Sequence, residues 1–324
     1  MLAGVAIYVV FPEFSHVLGS WPRLRLLAPW WLVVMVLSEV ASFACLVAML
    51  RMVVHARGWF AVTCAVMSGN AVTNLLPAGD ALGAGVQFRM LQRAGVSGAA
   101  AAGGLASTSL LGLAGLLFLP VFAVPALIGG LAVNEGLVHA AELGIAGFLL
   151  VVLFAALVLS GDAVLVAIAR ASQAVANRLW HRGVSNLPAT FLAQRDLARR
   201  DLGRNWLTAT LLVGGHIALD YLSLLAALRA TGASPNPPLV LLAYAATASL
   251  ALVPLTPGGL GIVEASLSGL LVLANVPSSD ALVATLAFRL GAFWLPELSG
   301  GVLYLLFHRR YGSPGALERP ASPR

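Results

Sequence analysis

Charged side chains inside apolar segments are the residues best placed to do chemistry in this chain. Arg289 lies between the apolar sequences LAF and LGAFW. A charge at the centre of a membrane helix costs at least about 2.5–3.5 kcal/mol, so this arginine should face a bundle interior and be paired. Candidate partners are the carboxylates of Glu264, Glu39, Asp220 and Glu297. The arginine fork also suits phosphate, so Arg289 has two interpretations: a structural ion pair, or a contact to an anionic lipid headgroup.

A second candidate group combines a histidine and a carboxylate. His216 and Asp220 are four residues apart, which places them on one face of a helix, and Tyr221 follows directly. Because histidine titrates near neutrality, a proton relay is one interpretation. A satisfied polar contact between two helices is the other, and it is the more frequent role of such a pair.

Two glycine-rich segments interrupt the apolar runs. Pro77 opens the sequence PAGDALG, and Pro257 opens PGGLGIVE. Proline cannot continue a helix and glycine tolerates positive φ, so both segments should break helices at or near membrane depth. The N–H groups that begin the following helix favour an anion, for which a lipid phosphate is the natural candidate. Ordinary tight turns at the membrane surface are the alternative.

Composition determines the elements that must position these residues. Of 324 residues, 60% are hydrophobic and only 10% are charged, whereas soluble domains contain about 25% charged residues. Such a chain cannot cover a water-facing surface, which excludes a soluble enzyme. We therefore predict an all-α polytopic transmembrane bundle of about seven or eight spans. The apolar runs place spans at 27–50, 60–76, 99–124, 141–160, 206–228, 238–255 and 281–307.

Charge distribution predicts the topology. The segment 162–205 contains seven arginines and three aspartates. Under the positive-inside rule this segment is cytoplasmic, in a multi-pass protein of the cell membrane. The tail 311–324 is predicted to be disordered and to lie on the same side.

A positional repeat divides the remaining chain. Shifting the sequence by 180 residues superposes Pro77 on Pro257 and places Glu39 within one residue of Asp220. This offset predicts one membrane domain over 1–310, with a first repeat at about 25–125 and a second at about 205–305. Transporters built from such repeats place their sites at broken helices on the repeat interface.

The sequences around the two breaks resemble the flippase-like membrane domain family. This family is the membrane part of bacterial lysylphosphatidylglycerol synthetases and also occurs as a stand-alone protein. The resemblance rests on TNLLPAGDALGAGVQFRMLQRAGVS and on TPGGLGIVE followed by an arginine in the last span. The resemblance implies a lipid- or anion-binding site at Pro257, Gly258, Gly259, Gly261, Glu264 and Arg289, and at Asn74, Pro77 and Gly79 in the first half.

The family resemblance implies movement of a lipid, such as an aminoacylated phosphatidylglycerol, between leaflets. The aminoacyl-transferase domain of the synthetases is missing, so we do not expect the chain to make lysyl-lipid. Two alternatives stay open: a non-transporting accessory subunit of a lipid or glycan synthase, and a proton-coupled transporter of small solutes. The sequence contains no HExxH, GxSxG or paired CxxC motif. We expect no enzyme activity, cofactor, metal or nucleic acid, with membrane lipids as partners and a lipid-modifying enzyme or glycosyltransferase as a further candidate partner.

Overall fold

The computed structural model describes residues 27–56, 58–76, 79–119, 187–251 and 256–312, together with isolated helical positions between 139 and 170. Every regular element in these residues is helical, which confirms the predicted all-α class. The helices are α1 (Pro29–Val54), α2 (Trp59–Leu75), α3 (Gly79–Arg93), α4 (Gly98–Phe118), α5 (Leu187–Ala230), α6 (Pro237–Ala251), α7 (Ile262–Leu273) and α8 (Ser278–Tyr311).

Four of the described helices are long and apolar enough to cross a membrane. They are α1, most of α4, the Asn205–Ala230 part of α5, and α8. Helices α6 and α7 are apolar but shorter, with 15 and 12 residues. A 12-residue helix rises only about 18 Å, so α7 is a half-span rather than a crossing helix. The predicted span at 141–160 and the tail from 313 lie outside the continuously described residues.

Helix α5 begins inside the arginine-rich segment. It starts at Leu187 and continues into the apolar span that was predicted to begin at residue 206. Asn205 marks the junction with non-helical angles of φ −118° and ψ 20°. The last part of the charged segment is therefore helical, and a kink separates it from the apolar part.

Helices α1 and α5 form the central contact, and they run antiparallel. The N–H of Ala28 donates to the carbonyl of Ala230 at 3.1 Å, which joins the start of α1 to the end of α5. Near the middle of both helices, Ser42 Oγ lies 2.6 Å from His216 Nδ1. Helices α6, α7 and the first part of α8 pack around this pair in one apolar core.

A second core joins α2, α3 and the end of α8 to the end of α1. Glycine allows α2 and α8 to approach closely, since a Cβ at Gly300 would overlap the Met67 carbonyl and lie 2.9 Å from Ala71 Cβ. The Ser68 hydroxyl donates to the Gly300 carbonyl at 3.1 Å in the same contact. Small residues and a hydroxyl at a helix crossing are the usual means of packing helices in lipid.

The connections α3–α4 and α7–α8 have matching geometry. Val96 N–H donates to the Leu91 carbonyl at 3.0 Å, and Val276 N–H donates to the Leu271 carbonyl, also at 3.0 Å. The residue before each valine has a positive φ, of +90° in the first connection and +65° in the second. The equivalent residues of the two connections are separated by the predicted offset of 180. The duplication itself stays a prediction.

Candidate functional site

The second break is a short 3₁₀ turn, Pro257–Gly259, that leads into α7. Gly258, Gly259 and Gly261 have φ values of +59°, +67° and +80°, a region that favours glycine. A Cβ at Gly258 would lie 2.5 Å from the Phe293 ring and 2.7 Å from the Asn74 carbonyl oxygen. The sequence PGG therefore allows this turn to lie directly against the end of α2, next to the first break.

A buried ion pair holds the second break to α8. Arg289 Nε donates to Glu264 Oε1, and Arg289 Nη2 donates to the Gly258 carbonyl at 3.2 Å. The guanidinium lies 4.1 Å from the centre of the Phe293 ring. Both charged residues are only 8% exposed. Of the two sequence-based interpretations, the structure shows a protein carboxylate as the direct partner of Arg289.

Glu264 also completes the start of α7. Its second carboxylate oxygen accepts from the Gly261 N–H at 2.7 Å, three residues upstream. A carboxylate in this position satisfies an unpaired N–H group and suits the positive end of the helix dipole. The Glu264 side chain thus joins the break, the start of α7 and Arg289. The glycines and the glutamate of the sequence PGGLGxxE therefore form one structural motif.

Glu297, a candidate partner for Arg289, has different contacts. Its Oε1 accepts from the side-chain amides of Asn70 at 3.1 Å and Asn74 at 2.7 Å. Its Oε2 is buried and has no hydrogen-bond partner within the described residues. The resemblance suggested Asn74 as a lipid contact, but the structure uses its amide to tie α2 to α8.

A central cavity of about 420 Å³ lies between the two breaks. Arg289 lines it together with Gly258 and Gly259 from the second break, and Asn74 and Gly79 from the first. Pro77 falls outside the described residues, and Gly261 and Glu264 do not line the cavity. The wall further contains Thr73, Asp80, Asp220, Tyr244, Thr247, Thr256 and Phe293. Five of the predicted site residues, drawn from both halves, therefore meet at one cavity, and Glu264 contacts Arg289 from outside it.

Asp220 and His216 lie on one helix, but their side chains contact different partners. The Tyr244 hydroxyl of α6 donates to Asp220 Oδ2 at 2.5 Å, at the cavity wall. His216 instead contacts Ser42 of α1. Glu39, one helical turn before Ser42, is 2% exposed, and neither of its carboxylate oxygens has a partner in the described part of the chain.

Sequence reasoning missed several cavity residues. Tyr244 is 24 positions from Asp220 and sits in the apolar run LLAYAATASL, so its pairing leaves no local signal. Thr247 lies one helical turn further along α6 in the same apolar run, and its place at the cavity likewise leaves no local signal. Asp80 could have been found, because it is the only charge inside the break sequence PAGDALG and a carboxylate there begins α3.

Comparison with known proteins identifies the family. Residues 1–300 match the family described as "Lysylphosphatidylglycerol synthase TM region". A shorter stretch of 66 residues is 39% identical to a "UPF0104 membrane protein" from Pyrococcus horikoshii. That stretch covers 20% of this chain and 20% of the relative's length. The match over most of the sequence is the decisive one: the chain belongs to the lysylphosphatidylglycerol synthase transmembrane-region family.

Proposed function

We propose that this protein moves a lipid or lipid-linked precursor with a phosphate-bearing headgroup between leaflets of the cell membrane. The observation that carries the proposal is the position of Arg289. It lies in a buried wall of the central cavity, between two helix breaks contributed by the two halves of the chain. Helix breaks and polar groups at membrane depth are expected where backbone lines a substrate cavity.

The ion pair with Glu264 is compatible with phosphate binding. Arg289 offers five N–H groups, and two of them donate to Glu264 and the Gly258 carbonyl. Glu264 then acts as a support that fixes the guanidinium plane at the cavity wall. A phosphate entering the cavity would use the remaining donors, whose fixed geometry suits its oxygens.

Two cavities of the chain suit the two parts of a lipid, its polar headgroup and its apolar acyl chains. A volume of about 420 Å³ lies within the range of small-molecule sites, roughly 300–1,000 Å³, and is suited to a polar headgroup. A second cavity of about 660 Å³ lies between α4, α5 and α6, and its walls are almost wholly apolar. In this proposal the headgroup occupies the central cavity while the acyl chains stay among apolar side chains.

The proposal assigns transport, and no catalysis, to this chain. It keeps the positive-inside orientation, with 162–205 and the C-terminal tail on the cytoplasmic side. Replacing Ser185 by cysteine tests that orientation with a membrane-impermeant thiol reagent on intact cells, using the unsubstituted chain as the labelling control. Strong labelling from outside would reverse the orientation.

Reconstitution tests the transport proposal. The purified chain is placed in vesicles of phosphatidylethanolamine and phosphatidylglycerol containing a trace of fluorescent phosphatidylglycerol, and a membrane-impermeant quencher reports the outer leaflet. We expect the wild-type chain to raise the rate of leaflet exchange at least tenfold over empty vesicles. Arg289→Gln should return the rate close to that of empty vesicles, and Arg289→Lys should restore it partly, because an ammonium lacks the planar fork.

The matched control is Arg93→Gln, which removes an exposed arginine at the end of α3, away from the cavity. It should exchange lipid at the wild-type rate. A folded Arg289→Gln protein with normal lipid exchange would contradict the assigned role of Arg289. Wild-type protein that leaves exchange at the rate of empty vesicles would favour the accessory-subunit alternative.

A further inference from the structure

Two carboxyl groups face each other at the wall of the central cavity, one half-buried at its lining and one buried behind it. Glu39 of α1 is 2% exposed, and Asp220 of α5 is the charged group that faces it. Asp220 accepts a hydrogen bond from Tyr244. Both Glu39 oxygens are buried without a hydrogen-bond partner among the described residues. We call Glu39 and Asp220 the acid pair.

No cation neutralises the acid pair in the described residues. The groups that face it are His216 from α5, which contacts Ser42, Tyr244 from α6, and the hydroxyl of Ser223. Helix α4 and the turn Leu290–Trp294 contain no titratable side chain, and α2 contains only a cysteine. Arg289 of α8, across the cavity, is paired with Glu264.

Two neighbouring carboxylates cannot both stay ionised while they are shielded from water. Burying an unpaired charge is costly, and two like charges in a low-dielectric interior repel each other strongly. A proton on one carboxyl removes one charge and creates a donor that can serve the other carboxylate. The unpaired oxygens of Glu39 are the positions where such a proton can be held.

We propose that the acid pair binds one proton and that exchange of this proton with the central cavity accompanies each lipid movement. When water in the central cavity reaches the pair, the O–H bond of one carboxyl breaks and the proton passes to a water molecule. Two hydrated carboxylates remain until a proton binds again. Asp220 lines the central cavity, while Glu39 lines a separate cavity of about 390 Å³ between α1, α2 and α8. The pair thus has one carboxyl at each of two cavities, whose lining residues do not overlap in the described part of the chain.

The position of the acid pair in the proposed duplication supports a coupling role. Helices α1 and α5 correspond at the offset of 180, and they pack antiparallel, with Ser42 and His216 in contact about one turn from the acid pair. Coupling-ion sites in transporters with inverted repeats lie near the membrane midplane at the repeat interface. Proton binding by the pair stands on its own geometry, whereas the coupling step rests on the proposed lipid transport.

Infrared spectroscopy tests proton binding without any transport assay. We expect the wild-type chain at neutral pH to show a protonated-carboxyl C=O band that shifts in deuterated water. The double variant Glu39→Gln, Asp220→Asn should lose one carboxyl equivalent of this band. Asp280→Asn, which removes a carboxylate at the start of α8 outside the cavities, is the control and should keep the band. An unchanged band in the double variant would overturn proton binding by the pair.

A pH gradient tests the coupling. Wild-type vesicles with fluorescent phosphatidylglycerol are given a gradient of one pH unit, with the membrane potential clamped at zero by potassium and valinomycin. One proton per lipid supports a leaflet ratio of up to about tenfold at this gradient. Glu39→Gln, which changes the carboxyl outside the central cavity, should bring the ratio to one while lipid still exchanges, and Asp280→Asn should respond like the wild type.

The outcomes separate the two proposals. Lipid exchange that ignores the pH gradient, or that responds to a sodium gradient instead, would overturn the coupling and leave the transport function intact. Absence of lipid exchange under every condition would contradict the transport function and with it the coupling. The infrared band would still decide whether the acid pair holds a proton.

Discussion

The two helix breaks occupy corresponding positions but are held together by different chemistry. At the second break, Arg289 and Glu264 form a buried ion pair across α7 and α8. An offset of 180 places Ala84 and Ser109 at the equivalent positions of the first half, so no ion pair can form there. The first break is instead secured by close backbone packing and by uncharged amides.

The first break is held in place by close packing of two glycines of α3 against α2. A Cβ at Gly79 would overlap the backbone of Thr73, and one at Gly83 would overlap the Thr73 side chain and lie 2.5 Å from the Gly69 carbonyl. Helices α2 and α3 are therefore locked by glycine contacts. The comparison indicates that the first half supplies a closely packed wall, while the second half supplies the cation that lines the cavity. The predicted repeat therefore does not extend to the ion pair of the site.

The largest expected effect comes from removing the carboxylate of the ion pair. Glu264→Gln leaves the Arg289 cation buried against the Gly258 carbonyl and the Phe293 ring, and arginine cannot release its proton. Breaking a buried pair in this way costs about 3–5 kcal/mol. We expect a large loss of folded protein, measured by thermal denaturation of the detergent-purified chain.

The converse change should be milder, because a carboxyl left alone can take up a proton. Arg289→Gln keeps the bond from Glu264 to the Gly261 N–H. The double variant Glu264→Gln, Arg289→Gln should recover most of the stability lost in Glu264→Gln, without recovering lipid exchange. Ser109→Ala, at the equivalent exposed position of the first half, should change stability by less than about 0.5 kcal/mol. Equal effects of Glu264→Gln and Ser109→Ala would remove the asymmetry between the halves.

The next effect tests the geometry of the second break. Gly258→Ala forces an alanine into φ +59° and brings its Cβ within 2.5 Å of the Phe293 ring. Backbone strain alone costs about 1–3 kcal/mol. Gly269→Ala in α7 is the matched control, because a Cβ there has nothing within 4 Å. We expect a lower melting temperature for Gly258→Ala than for Gly269→Ala, and equal temperatures would show that the turn tolerates side chains.

The sequence predicts the helices and helix breaks of this molecule better than the side-chain contacts between them. Long apolar runs bounded by charge, proline or glycine indicate α1, α4, α5 and α8, because a bilayer demands about 20 apolar residues per crossing helix. The breaks follow from proline and glycine chemistry, and the carboxylate partner of Arg289 was among four candidates. Choosing Glu264 required the tertiary structure, since the pair is 25 residues apart and lies across a turn.

Other contacts left no sequence signal. The amide of Asn74 reaches Glu297 across 223 residues, and Tyr244 reaches Asp220 from within an apolar run. The five-residue π turn Leu290–Trp294 directly after Arg289 is also invisible in a continuous apolar sequence. Helix packing in three dimensions decides such contacts, whereas hydrophobic periodicity reports only which residues avoid water.

The smallest effect concerns the amide contacts of the first break. Asn74→Ala removes the 2.7 Å bond to Glu297 Oε1, but Asn70 continues to donate to the same oxygen. The expected cost is therefore that of one hydrogen bond, about 0.5–1.5 kcal/mol. Asn74→Asp should cost more, because it replaces a donor by a second carboxylate beside Glu297. If both variants melt at the wild-type temperature and exchange lipid normally, the amides of α2 contribute nothing to the wall. If Asn74→Ala melts normally but exchanges lipid slowly, then Asn74 contacts the headgroup. In that case it would be wrong to assign Asn74 only to the packing of the cavity wall.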